Sequence, residues 1–582
     1  MRTVRQVPKP RNQATGPVEA PVITIRDVIS RVDDSPALTK ARKKELVSAL
    51  RTLGQCLKAA PGDIPARPAS LRKQMENAPF ALAGVSRKRW EKVRNFTLVA
   101  LRIGGFEVMA SRRTGGMTSA EWARLVSLLP RGRDSKGLSR FVSFCMAEGI
   151  EPSAVGISTF QRFWTALDEH SLVRNAEGVY RQTCMLWNRA GELVVGWPSL
   201  RVAVSSASLR YSMEWKEFPA KFRIDAEEFL TNAVDQDPLE DDYRDPIRPA
   251  TVVTWRQAIL RIATALVASG YPASNIVSVT TLVEGDNAKQ ALRWFRKRVG
   301  GVKKPGVYNH AVLLRNIAHR RLPQEHPNHE QLDGVCERLK PKKEVVRKNA
   351  DRLRQFDNPR HVDALLGLPA HLMRLAQRDD KGGPADVVDV VYALALELLT
   401  VTALRIFNVG MLEMDEVVFD KYDPQSTVHI VIPARKMKNN EAFEIELPPG
   451  SAALLKTYLD KWRPRLCEGP SQWVFPNDRG EHRSVTGFGT HVRDVIFHHT
   501  GLTMNAHLFR HLAVKFHMDA HPYDVETPKL LLGHKSPRMT MEAYATTQAA
   551  AAHKRYESLI DELREDGRKR QSIPSGLAGA AS

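Results

Sequence analysis

Along most of the chain, apolar positions recur every three to four residues. The clearest stretches are residues 40–59, 86–102, 138–147, 158–167, 255–269, 290–299 and 308–321. Polar and mostly basic residues fill the positions between. That period predicts amphipathic helices with a basic outer face. Residues 387–404 are apolar on every side but carry Asp389 and Glu397. They predict a buried helix, not a membrane span. Strand-like alternation is confined to residues 417–419, 428–433 and 443–448. In the last two, Val428, Ile430 and Ile432 alternate, then Phe443, Ile445 and Leu447, with Asn439 and Asn440 between them. This predicts an antiparallel hairpin turning at the asparagine pair, with Lys438 at the turn. The fold class is mainly α and multi-domain, with one small antiparallel sheet near the C-terminus.

Breaks in this pattern divide the chain. Residues 1–22 are rich in Pro, Gln and basic side chains without periodicity and read as a disordered basic arm. A helical N-terminal domain follows at 23–112 and ends at a Gly-rich break. A second helical domain spans 117–220 and a third 221–345. Residues 340–354 read as a charged linker, 355–566 as the C-terminal domain and 567–582 as a disordered tail. Residues 141–155 (FVSFCMAEGIEPSAV) resemble residues 262–276 (IATALVASGYPASNI). Each gives an apolar helix, a Gly stop and a short turn, which suggests a duplicated helical unit.

Charge sharpens the picture. The 582 residues carry a formal net charge of +21. Such a surplus suits a polyphosphate partner, whose counterions are released on binding. The five cysteines, Cys56, Cys145, Cys184, Cys336 and Cys467, are scattered and odd in number. They indicate neither a disulfide frame nor a zinc site, which fits a reducing cytoplasm. No apolar signal segment opens the chain.

The chemistry concentrates near the end. Residues 506–544 (AHLFRHLAVKFHMDAHPYDVETPKLLLGHKSPRMTMEAY) hold His507, Arg510, His534 and Tyr544. His507 and Arg510 stand at i and i+3, on one face of a helix. Gly533 is placed to end a helix just before His534. Upstream, Arg405 ends the apolar helix, where a free charge would be costly to bury. Guanidinium groups grip phosphate oxygens, imidazole moves protons and a phenol can attack phosphorus.

The ordered set Arg405, Lys438, His507, Arg510, His534, Tyr544 resembles the tyrosine recombinase (phage integrase) family of site-specific DNA recombinases. TALRIFNVGML is similar to its first arginine box and IPARKMKN to its hairpin lysine segment. HLFRH is similar to its His-x-x-Arg box, and LLGHKSPRMTMEAY to its segment from Gly-His to tyrosine. Two departures stand out. Asn408 occupies a place where the family often has an acidic residue, and the step from His534 to Tyr544 is one residue longer. The resemblance implies helical N-terminal DNA-binding domains, SAM-like at 117–220 and core-binding-like at 221–345. It also implies a catalytic domain of helices around a small sheet. Tyr544 would be the nucleophile forming a 3′-phosphotyrosine, without metal or cofactor. Its spacing from Arg510 fits better than that of Tyr523 or Tyr556. Arg405 and Arg510 would hold the phosphate, with His534 donating to it. His507 would accept the tyrosine proton or orient the phosphate. Lys438, with Lys436 as the alternative, would protonate the leaving oxygen. The implied partner is double-stranded DNA, engaged by a homo-tetramer in a synapse, with other recombinases or DNA-bending proteins as accessories. The setting is a bacterial cytoplasm. The implied work is integration, excision or transposition of a mobile element. A type IB topoisomerase-like strand relaxer and an inactive sequence-specific DNA-binding protein remain open as alternatives.

Overall fold

The computed structural model describes residues 22–109, 119–130, 133–204, 212–236, 239, 245–341, 347–380, 382–383, 387–419, 427–522, 524–533, 536–537 and 556–568. The arm, the break near residue 112, part of the linker, Tyr523, His534, Tyr544 and the last residues lie outside these. The chain divides into two compact units. One joins Met1–Ala203 with Val345–Ser582, and the other is Val204–Glu344.

The first unit opens with α1 (Ile25–Asp34), α2 (Lys40–Leu57), α3 (Pro68–Glu76) and α4 (Arg87–Ile103). Ser86 caps α4 by accepting from the Arg89 amide, which satisfies one otherwise orphaned donor. Leu46, Leu50, Leu53, Phe80 and Leu101 form the core of this bundle. A second bundle holds α5 (Ala120–Ser127), α6 (Arg133–Ala147), α7 (Ile157–Glu169) and α8 (Ala176–Leu193). Its core is aromatic: Phe141 stacks on Phe160 at 4.4 Å, and Trp187 meets Trp197 edge-on at 5.1 Å. The indole N–H groups of Trp122 and Trp187 donate to Ile150 and Leu200 carbonyls, so neither is buried at a loss. Buried Arg72 of α3 ties the bundles together, donating to the Leu167 carbonyl and pairing with Asp168 at 2.6 Å.

The second unit holds α9 (Ala220–Asn232), α10 (Pro249–Ala268), α11 (Asn287–Arg298), α12 (Pro305–Arg321) and α13 (Asn328–Leu339). The segments paired in the sequence share a local structure. In one, α6 ends at Gly149 with φ +66°, and a 3-10 turn follows at Pro152–Ala154. In the other, α10 is followed by Gly270 with φ +103° and a 3-10 turn at Ala273–Asn275. The Ile150 and Tyr271 amides donate back to Cys145 and Leu266 in the same pattern.

The C-terminal part comprises α14 (Arg347–Arg354), α15 (Pro359–Leu366), α16 (Leu368–Asp379), α17 (Val388–Thr402), α18 (Ile406–Gly410), α19 (Pro449–Thr457), α20 (Val485–Thr500), α21 (Leu508–Ala520) and α22 (Glu526–Leu532). Its strands β1 (Val417–Phe419), β2 (Val428–Ile432) and β3 (Phe443–Glu446) form one antiparallel sheet in the order β1-β2-β3. The fold is therefore mainly helical with one small sheet, as the hydrophobic pattern predicts. Two expectations need correction. Residues 347–354 are a helix whose Leu353 enters the C-terminal core, so they are not a free linker. Nor do β2 and β3 meet in a two-residue turn at Asn439 and Asn440. Ile432 pairs with Phe443, and the residues between form a wide loop with a 3-10 turn at Ala434–Lys436. Pro433 has no N–H to extend the ladder, and buried Met437 holds the loop against the core.

Helix α17 is the central beam. Leu394, Leu396, Leu398 and Leu399 are all buried, each worth roughly 1.5–3 kcal/mol over an exposed position. Its charges are accommodated: Glu397 accepts from Ser451 at 2.6 Å, and burial pushes the Asp389 carboxyl above its ordinary range. The far side of α20 carries the first bundle. Phe80 stacks on His498 with ring centres 6.1 Å apart, and Arg174 approaches Asp494 at 3.6 Å. Gly501, at φ +74°, admits Leu82 so closely that a Cβ there would meet it at 2.6 Å.

Candidate active site

The site forms where α17 ends. Its last turn closes on Ala403, a non-glycine residue held at φ +48°. This conformation costs on the order of 1 kcal/mol and persists only where its surroundings enforce it. The enforcing group is Arg510 on α21, only 6% exposed, whose Nη1 donates to the Ala403 carbonyl at 2.7 Å. Its Nη2 donates at 2.6 Å to the carbonyl of Leu532, the last residue of α22. One guanidinium thus staples the turn before Arg405 to the turn before His534. Both partners are neutral carbonyls, so its charge is not cancelled. Burial, and then the field of Arg405, pulls its pKa down to about 10.

Arg405 itself starts α18, two residues beyond the turn, and does not end α17. It is half-buried, and that burial lowers its pKa. No carboxylate pairs with Arg405 or Arg510 among the described residues. His507 stands at the mouth of α21, edge-on to His511 at 5.2 Å. Although His507 is exposed, partial desolvation lowers its pKa, reinforced by the positive fields of Arg510, Arg405 and Lys438. The imidazole thus lies within the positive fields of those three cations. It is neutral near pH 7, with a ring nitrogen free to accept a proton.

The loop between β2 and β3 supplies the remaining described group. Lys436 and Lys438 lie two residues apart on it but differ completely. Lys436 reaches Glu413 at 2.6 Å and Glu416 at 3.0 Å. Burial alone would lower its pKa, but these two hydrogen bonds raise it, so its charge is committed. Lys438 is exposed, and no ion pair holds it among the described residues.

Two asparagines fix this loop. Buried Asn408, on α18, donates to the Lys436 carbonyl and to the Met437 sulfur, both at 3.3 Å. A carboxylate at that position could not donate to a carbonyl, which accounts physically for an amide here. Asn439 donates to Glu441 at 2.8 Å and to the Gly533 carbonyl at 3.4 Å. Gly533 caps α22 at φ +58°, and a Cβ on it would sit 2.5 Å from the Asn439 amide nitrogen. The loop bearing Lys438 thus rests against the segment that leads into His534. His534 and Tyr544 themselves lie outside the described residues. The structure brings Arg405, Lys438, His507 and Arg510 together. The roles of Asn408 and Asn439 were not foreseen, although the Asn408 departure had marked one of them.

A cluster of cations with no carboxylate partner, beside a neutral imidazole, is a place for a phosphate. The sequence of residues 371–551 matches the profile of the phage integrase family. That part of the chain is a phage integrase family domain, and all six candidate residues fall inside it. No curated protein matches the chain. Among solved structures, a lambda integrase dimer bound to a COC′ core site is 12% identical, covering 56% of this chain and 78% of its own, with a TM-score of 0.33. A XerH site-specific recombinase bound to difH, in a pre-cleavage complex, is 13% identical, covering 59% and 90%, with a TM-score of 0.34. XerA recombinase is 14% identical, covering 57% and 99%, with a TM-score of 0.24.

Proposed function

We propose that this protein cuts and rejoins double-stranded DNA through a 3′-phosphotyrosine, as a site-specific recombinase. The observation that carries the reading is the gathering of Arg405, Arg510 and Lys438, none cancelled by a carboxylate among the described residues, around His507. In the reaction, the Tyr544 oxygen attacks phosphorus and its proton passes to His507. The bond from phosphorus to the 5′-oxygen breaks, and that oxygen takes a proton from Lys438. Arg405, Arg510 and His534 stabilise the charge that builds on the non-bridging oxygens. Each phosphodiester is exchanged for a phosphotyrosine of similar energy, so a second strand's 5′-hydroxyl can reverse the step. The exchange of strands is the work of four subunits in one synapse.

The helical units at 23–112, 117–220 and 221–345 would grip the duplex. In the last of these, a groove of about 580 Å3 has an apolar floor of Leu292, Val335 and Leu339. Its rim is basic: Lys289, Arg293, Arg296, Lys303 and Arg338. Such a surface suits a phosphate backbone.

The deciding experiment uses a nicked suicide duplex and a denaturing gel. Wild-type protein should leave a covalent protein–DNA band, and Tyr544→Phe should bind the duplex equally well but leave none. A band that persists in Tyr544→Phe assigns the nucleophile to another residue and overturns this reading.

A further inference from the structure

Asn439 is partly buried, and its side chain is oriented without ambiguity. Both of its contacts, the Glu441 carboxylate and the Gly533 carbonyl, are acceptors, so the nitrogen must face them. That leaves its Oδ1 buried and without a hydrogen-bond partner among the described residues. An unsatisfied acceptor of this kind costs about 1–3 kcal/mol. The contact also spans distant parts of the chain. Asn439 follows Lys438 directly, and Gly533 precedes His534 directly. The glycine is required twice over, by its φ of +58° and by the 2.5 Å approach of the amide. Asn408 grips the other side of the same loop, at Lys436 and Met437.

We infer that Asn439 is a positioning residue: it fixes the Lys438 loop to the C-terminal turn of α22, so that the leaving-group acid is held in place. This rests on the reading of Lys438 as the proton donor. Removing the amide leaves Lys438 in place chemically but loosely aimed. Misplacement by about an ångström can cost on the order of a hundredfold in rate.

The test is single-turnover cleavage by the full chain on two duplexes. One is ordinary DNA and the other carries sulfur in place of the bridging 5′-oxygen, which leaves without a proton. Asn439→Ala and Asn439→Asp should each slow cleavage of ordinary DNA about tenfold to a hundredfold. Both should regain most of the rate on the sulfur duplex, with DNA affinity unchanged. Lys438→Ala is measured alongside. If Lys438→Ala is rescued by sulfur and the Asn439 variants are not, Asn439 does not act through the lysine and the proposal fails alone. If Lys438→Ala is not rescued, the assignment of the acid fails and takes the proposal with it. Full activity of both Asn439 variants on ordinary DNA also overturns it.

Discussion

Arg510 and Lys438 are cations of one centre, yet the helical floor and the loop hold them in opposite ways. Arg510 is 6% exposed and fixed by two carbonyls from distant turns. Lys438 is exposed and carries no ion pair among the described residues. The difference matches the role proposed for each group. A guanidinium that stabilises charge on a phosphate works best when it cannot move, because reorganisation during the reaction is then avoided. An ammonium that gives up a proton must approach an oxygen whose charge grows during the step. Burying it in a fixed ion pair would raise its pKa, as happens to Lys436. On the proposed reading, the floor supplies field and the loop delivery.

The strongest way to break this comparison is to remove the staple. Arg510→Ala leaves the Ala403 and Leu532 carbonyls buried without donors, at about 1–3 kcal/mol each. It also releases the strained Ala403 turn on which Arg405 depends. We expect a loss of roughly 3–5 kcal/mol in stability and of at least about a hundredfold in cleavage. Arg510→Lys keeps the charge but cannot span two carbonyls, so it should recover little of either. Denaturant unfolding and suicide-substrate cleavage read the two quantities. A stable Arg510→Ala protein that loses only cleavage would show that the staple is not structural.

The loop gives a smaller and sharper contrast. Lys438→Ala should slow cleavage severely, with rescue by bridging sulfur and no change in unfolding. Lys436→Ala should do the reverse. It strands Glu416, whose side chain is 5% exposed, and costs roughly 2–3 kcal/mol. Its cleavage should fall only modestly, through a looser loop, and sulfur should not restore it. Sulfur rescue of Lys436→Ala with none for Lys438→Ala would exchange their roles.

Much of the floor was legible in the sequence, because it rests on local signals. The all-apolar helix, the His-x-x-Arg spacing and the Leu-Leu-Gly stop each act over a few residues. The three strands were also readable from alternation. The loop was misread for a physical reason. Asn439-Asn440 is a good local turn signal, and Asn440 does adopt φ +60°. The loop's width, however, is decided by Pro433, by the burial of Met437 and by Asn408, which lies on another element. The choice between the lysines depends on Glu413 and Glu416, some twenty residues upstream in the sequence. The tie from Asn439 to Gly533 crosses 94 residues. No periodicity records such contacts. Nor does it record the seat of the first bundle on α20, which depends on Phe80, Leu82 and the space left by Gly501.

The smallest effect separates histidines of the site from those of the frame. Burial, with the field of Arg261 in one case and of His371, Arg87 and His498 in the other, pulls His310 and His499 down to about 4. Among the described residues, His310 Nδ1 and His499 Nε2 are buried without hydrogen-bond partners. Both pKa values fall below the unfolded value of about 6.5, so the unfolded chain binds more protons in that window. Stability is therefore full above pH 6.5, declines as pH falls below it, and stops declining near pH 4. At pH 5.5 the loss should be roughly 1 kcal/mol for each histidine. His499→Gln should remove one share from the unit holding the active site, and His310→Gln one from the other unit. His507 also titrates below its ordinary value, so its protonation should lower cleavage and add its own share to the loss of stability. Unfolding followed from pH 7.5 to 5 beside cleavage over the same range makes the comparison. An acid limb of cleavage that vanishes in His499→Gln and His310→Gln would show that the frame, and not His507, sets the pH dependence of the reaction.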